Sequence, residues 1–193
     1  VRQHPTLAVD FNADHLTAWA VDQTGNPVSG PTSYYIDFKN LSSTTKDAYV
    51  RHLVTNLLDR AAALDCRSIA IEDLCFDNSD SGQGRDLRRH VGAMPTAVFC
   101  DRLVAMAAKR KVSIAVVDPA YTSKQAGPWL KTERFKSATV AVKTIGRHTS
   151  PVASSSAATL HHGAAYNIGR RMQGLVLTPR SSGTGRQQCM PCV

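Results

Sequence analysis

Two stretches of the chain share one pattern, an apolar run that closes on a carboxylate. Thr6-Leu-Ala-Val-Asp-Phe-Asn12 carries Asp10 at its end, and Ser68-Ile-Ala-Ile-Glu-Asp-Leu74 runs into Glu72 and Asp73. Continuous apolar runs bounded by polar residues predict strands covered on both faces, and such strands deliver their last side chains to the rim of a sheet. Ser68–Leu74 reads as the buried strand around which the rest is organised. Strand-capping polarity alone would also account for the acids; side by side, the two strands would bring Asp10 and Glu72 together, and close carboxylates repel unless a cation sits between them.

The remaining pattern follows in chain order. His15–Val21 predicts a second strand, Gly25-Asn-Pro27 a turn, and a third strand lies around Ser33–Phe38, making an antiparallel meander. Thr44 or Thr45 is placed to cap a helix with Asp47 in its first turn. Its apolar face is Tyr49, Leu53, Leu57, Ala61 and Leu64, and it should end near Asp65. Residues 77–84 are turn formers, and Arg85, Arg88, Arg89 and His90 then make a basic cluster, so a mobile basic loop is expected near 77–94. Pro95-Thr96 opens a second helix with Phe99, Leu103, Met106 and Ala107 on one face. A fifth strand, Val112–Val117, again closes on an acid, Asp118, though Asp118-Pro119 is also a plain turn opener.

Composition narrows the class. The chain has 193 residues, 42% of them apolar, enough for one substantial core. No run approaches the roughly 18 apolar residues of a membrane span, and Val1–Pro5 lacks the apolar core of a signal peptide, so a soluble, cytoplasmic protein with no membrane partner is expected. Because the chain starts with Val and enters a strand at once, it is expected to be a piece of a longer protein. The formal charge of +8 favours a polyanionic partner. Five cysteines with one close pair, Cys189 and Cys192, do not make a disulfide framework, and the single pair does not make a structural zinc site.

Three strands, helix, strand, helix, strand and a further helical segment are the order of the ribonuclease H-like fold, a mixed sheet, here of five strands, with helices on both faces. That architecture sets acids from the first and fourth strands next to each other, as Asp10 and Glu72 would be. Two divalent ions roughly 4 Å apart on such acids support phosphodiester hydrolysis, and Mg²⁺ or Mn²⁺ suits the oxygen donors.

Five ordered blocks carry a resemblance: Val9–Asn12, Ile69–Leu74, Pro95–Leu103, Val117–Lys124 and His161–Arg171. Together they resemble the RuvC-type nuclease domain of the OrfB/TnpB proteins of insertion sequences, in particular the divergent actinobacterial branch related to type V CRISPR effectors. The likeness covers nearly the whole chain, from about Leu7 to Arg171, and implies a DNA endonuclease guided by an RNA, with Asp10 and Glu72 as two of its three metal-binding acids. A nuclease domain is expected over 1–177, and the stretch after Leu177, low in apolar content, predicts a disordered tail over 178–193.

The chain departs from that family at two places. After Tyr121-Thr-Ser-Lys124 the family carries a Cys-x-x-Cys pair of a zinc ribbon, where this chain reads Gln125-Ala-Gly-Pro-Trp129, so no structural zinc is expected. The third acid belongs to an Asp-x-Asn-Ala-Ala block, where this chain reads His161-His162-Gly163-Ala164-Ala165. RuvC-like nucleases with a histidine at this place are known, so His161 or His162 would complete the site as ligand or base, with Asp118 a weaker substitute. Arg88, Arg89, Lys124, Arg147, Arg170 and Arg171 suit phosphate contacts, solvated surface charge being the plain alternative for each. Trp129, Phe135 and Tyr166 suit either base stacking or the core. The competing reading of the whole is a catalytically silent relative that still binds nucleic acid.

Overall fold

A computed structural model describes residues 4–12, 15–72, 95–117, 140–145 and 160–173. Six strands and three helices are described in the order β1 (Thr6–Phe11), β2 (His15–Val21), β3 (Thr32–Ile36), α1 (Ser43–Ala63), β4 (Ser68–Glu72), α2 (Thr96–Lys109), β5 (Ser113–Val117), β6 (Ala141–Ile145) and α3 (Leu160–Met172). The strands form one sheet in the order β5-β4-β1-β2-β3-β6. β2 runs antiparallel to β1 and β3, while β4 pairs parallel to β1 and β5 pairs parallel to β4. This is the ribonuclease H-like arrangement, a mixed sheet with helices on both faces.

Six strands stand where five are expected. The sixth, β6, pairs parallel to β3 at the sheet edge, from Thr32 with Ala141 to Ile36 with Ile145. Only Ile145 within it is buried, so backbone pairing rather than an apolar face holds it, and periodicity has nothing to read there. Lys143 on its outer surface suits an edge.

Strand β1 is buried along its whole length, as its near-continuous apolar run requires of a central strand. Its odd-numbered side chains, Leu7, Val9 and Phe11, meet Ile69 and Ile71 of β4, then Val50, Leu53, Val54, Leu57, Leu58 and Ala61 of α1 and Phe99, Leu103 and Ala107 of α2. Phe11 and Phe99 pack edge to face with centroids 4.6 Å apart. The even-numbered side chains point to the other face, where Ala8 and Ala70 lie under Ile168 of α3.

The expected helix start is displaced. Ser42, not Thr44 or Thr45, is the N-cap, its Oγ accepting from the Thr45 amide at 3.2 Å, and Asp47 lies beyond the first turn. Any of the four consecutive hydroxyl residues Ser42 to Thr45 suits a cap in sequence, and the approach of the chain from β3 selects among them. Asp47 instead accepts two bonds from Arg102 of α2, at 2.9 and 3.1 Å.

Both long helices end in the same way. Asp65 (φ 54°) and Lys111 (φ 55°) take the left-handed conformation just past α1 and α2. The amides of Cys66 and Val112 then return to Ala61 and Ala107, at 2.8 and 3.0 Å. These are Schellman closures without glycine, and each turns the chain straight into the next parallel strand.

Candidate functional site

Strand register sets the first two candidate residues. β1 and β4 are laddered up to Val9 with Ile71, so Asp10 and Glu72 stand one residue further along, level with each other on neighbouring parallel strands about 4.8 Å apart. Side chains alternate along a strand, and Ala8 and Ala70 point toward α3, so Asp10 and Glu72 share that face. Asp10 is buried, at 4% exposure, and Glu72 is half-buried at the open end. One carboxylate oxygen of Asp10, Oδ2, accepts from Asn12 Nδ2 at 3.0 Å, and His161 Nδ1 of α3 stands 3.4 Å from the same oxygen. Oδ1 has no partner among the described residues.

Small residues let α3 reach the acids. A Cβ built on Gly169 would lie 2.6 Å from Val21 Cγ2 and 3.1 Å from Ala8 Cβ, so only glycine admits this helix so close to the sheet. Ala164, Ala165 and Ile168 complete the buried stripe. The first turn of the helix is thereby brought over the ends of β1, β2 and β3, with its positive dipole end on the side of the carboxylates.

The two histidines part company there. His161 is half-exposed, at 46%, beside Asp10. His162 is 2% exposed and shares a 2.9 Å hydrogen bond between Nε2 and Ser33 Oγ on β3, two strands away from Asp10. Burial pushes the His162 imidazole down to about 4, the charges of His15 and His161 adding to the effect. It is therefore neutral at ordinary pH and serves as a buried tie between α3 and β3.

That depression has a consequence for stability. The unfolded chain protonates His162 near 6.5 and the folded one near 4, so between those values the unfolded state holds more protons and stability falls as pH falls. The full contribution is present above pH 6.5, about 2 kcal/mol of it is lost at pH 5, and the loss levels off below pH 4. Urea unfolding at pH 7 and pH 5 of the parent and of His162→Gln checks this. The difference between the two pH values is expected to be smaller in the variant by roughly that amount.

Residues that the sequence pattern did not single out surround this pair. Thr17 faces Asp10 and Ser33 faces Thr17 across the three strands, and His15 faces Tyr35, so all share the α3 side of the sheet. The His15 and Tyr35 rings stack at 5.1 Å, and His15 meets His161 edge to face at 5.0 Å. Alternation within β1 marks Asn12 as sharing the face of Asp10, whereas His15, Ser33 and Tyr35 are placed there by the register of β2 and β3, which the turns leave open in the sequence.

Other candidates lie elsewhere. Arg170 and Arg171 are in the last turn of α3, roughly 13 Å along the helix from His161, with the Arg170 guanidinium over the Tyr166 ring at 5.8 Å. Tyr166 is core rather than a stacking surface, being 4% exposed with its hydroxyl donating to Gly25 O at 2.6 Å. Arg88, Arg89, Lys124, Arg147, Asp118, Trp129, Phe135, the basic loop near 77–94 and the tail over 178–193 lie outside the described residues. Among the described residues no three His, Cys, Asp or Glu side chains are gathered closely enough to hold a metal ion, and no helix is long and apolar enough to cross a membrane.

The sequence matches no protein-family model and no curated protein. Among solved structures, Thermus thermophilus RuvC in complex with a Holliday junction substrate aligns at 14% identity over 86% of this chain and 90% of that one, with a TM-score of 0.48. A second Thermus thermophilus RuvC structure aligns at 13% identity over 89% and 97% of the two chains, with a TM-score of 0.44. The yeast mitochondrial Holliday junction resolvase Ydc2 aligns at 11% identity over 90% and 80%, with a TM-score of 0.42.

Proposed function

We propose that this chain is a divalent-metal-dependent nuclease domain that hydrolyses phosphodiester bonds in DNA. The observation that carries the reading is the placement of Asp10 and Glu72, level on adjacent parallel strands and turned to the same face, with His161 beside Asp10. The donor set fits a hard cation. Two carboxylates supply oxygen, one Asp10 oxygen has no partner among the described residues, and a cation offsets the repulsion of the level acids. Asp10 and Glu72 would hold Mg²⁺ or Mn²⁺, which supplies Lewis-acid activation of water and of the leaving oxygen when bound.

The residues of the chain do the rest. Asn12 orients the Asp10 carboxylate from its Oδ2 side. We take His161 rather than His162 as the third group because it lies beside Asp10 at the exposed end of α3; when neutral it would accept a proton from water, and once protonated it would give one to the leaving oxygen. The finer reading, that the domain belongs to a TnpB-like protein of an insertion sequence and is guided by an RNA, rests on the five sequence blocks and on the +8 charge that suits nucleic acid.

A second reading has its own observation. No three metal-binding side chains are gathered among the described residues, which suits a silent relative that binds nucleic acid without cutting. Incubating the protein with labelled DNA and Mg²⁺ or Mn²⁺, with and without RNA transcribed from the sequence flanking its own gene, separates the two. Cleavage by the parent and none by Glu72→Gln supports the nuclease; binding without cleavage under every divalent ion supports the silent relative; RNA-independent cleavage removes the guide.

DNA affinity is expected to fall steeply with salt in either case. A protein contacting several phosphates loses roughly a thousandfold between about 50 and 200 mM salt through counterion release. Fluorescence anisotropy over that range checks this, and a flat response points away from a phosphate backbone.

A further inference from the structure

Thr17 brings to the candidate site a hydroxyl that no described residue uses. It is the direct cross-strand partner of Asp10, so the two side chains share one face of the sheet with Cβ atoms about 5 Å apart. That face lies under α3, since Trp19, two residues further along β2, packs against Ala165 and Tyr166. Thr17 is 0% exposed, and its Oγ1 makes no hydrogen bond. On one side of it, Ser33 is already engaged with His162 at 2.9 Å. On the other side stands Asp10, where Asn12 holds Oδ2 and Oδ1 has no partner among the described residues.

A sealed hydroxyl without a partner is unfavourable in a fold, and valine would fill the same space and suit the strand as well. Such departures from good packing concentrate at functional sites. We propose that Thr17 is a positioning residue of the cation site, its hydroxyl being the donor that fixes Oδ1 of Asp10 when that carboxylate holds a divalent ion. This rests on the reading of Asp10 and Glu72 as cation ligands. Rotation between staggered wells re-aims Oγ1 with the backbone fixed, and side chains paired across strands at this separation are within reach of each other. A carboxylate oxygen bound to a metal keeps a second lone pair, and a donor placed on it sets the orientation of the ligand. Asn12 on Oδ2 and Thr17 on Oδ1 then hold the carboxylate at both oxygens.

Mn²⁺ binding to the full-length protein, read from the loss of the free-ion electron paramagnetic resonance signal, tests this without a cleavage assay. Thr17→Val, which keeps the shape and removes the hydroxyl, is expected to bind Mn²⁺ about tenfold more weakly than the parent, the usual scale for a lost partner of a metal ligand. Thr17→Ser, which keeps the hydroxyl, is expected to bind as the parent does. Without metal, the valine variant is expected to melt no lower than the parent, because it removes a sealed polar group that has no partner. If the valine variant does not fold, Thr17→Ala takes its place, with the same weakening expected relative to Thr17→Ser. Parent-like Mn²⁺ affinity in the variant without the hydroxyl overturns the proposal. Equal weakening in the serine variant overturns it too, by tracing the effect to packing. A parent that binds no Mn²⁺, or no more tightly than Asp10→Asn does, fails at the cation reading itself and takes this proposal with it.

Discussion

Asp10→Asn is expected to lower divalent-dependent cleavage about a thousandfold, because a metal-held carboxylate contributes several kcal/mol and about 1.4 kcal/mol is worth a factor of ten. The fold is expected to persist. The amide has the shape of the carboxylate, and removing one of two level acids relieves repulsion in the metal-free protein. Without metal, the thermal midpoint of the variant should equal or exceed that of the parent. With millimolar Mn²⁺ the parent midpoint should rise, since a ligand that binds only the native state stabilises it by mass action, and the variant midpoint should not. Differential scanning calorimetry with and without Mn²⁺ measures both effects. Equal rises in the parent and the variant would remove Asp10 from the site.

Gly169→Val is expected to cost about 3 kcal/mol or more of stability, although valine is the better helix former by a few tenths of a kcal/mol. The first added carbon alone would stand 2.6 Å from Val21 Cγ2 and 3.0 Å from Val21 Cβ. Val21 is fully buried and branched at that atom, so it has nowhere to turn. The helix must lift away from β1 and β2, and His161 lifts with it. Urea unfolding gives the stability loss, and cleavage is expected to fall even in the folded fraction. Gly169→Ala, with one carbon, should show the same effects in smaller measure. A valine variant as stable as the parent would mean that α3 does not approach the sheet as described.

The order of elements was legible in the sequence because each main segment carries its own period. β1 and β4 are near-continuous apolar runs, and α1 and α2 repeat Leu53-Leu57-Ala61 and Phe99-Leu103-Ala107 at helical spacing. The strands that end on Asp10 and Glu72 could be named for the same reason, since burial on both faces leaves the first polar residue at the rim. Strand β6 could not be named, because its one buried side chain makes no pattern and its stability comes from hydrogen bonds to β3.

The choice between His161 and His162 was also beyond the sequence. Adjacent residues on a helix point about 100° apart, and either could face the acids until the rotation of α3 is known. Gly169, eight residues after His161, settles that rotation by seating the helix on Val21 and Ala8. His162 then falls toward Ser33 and His161 toward Asp10. The sequence by itself determined which strands carry the acids and which helix carries the histidines, since those follow from local periodicity. Only the tertiary structure decided which histidine meets which strand, because those contacts join segments more than a hundred residues apart and depend on packing that no local pattern encodes.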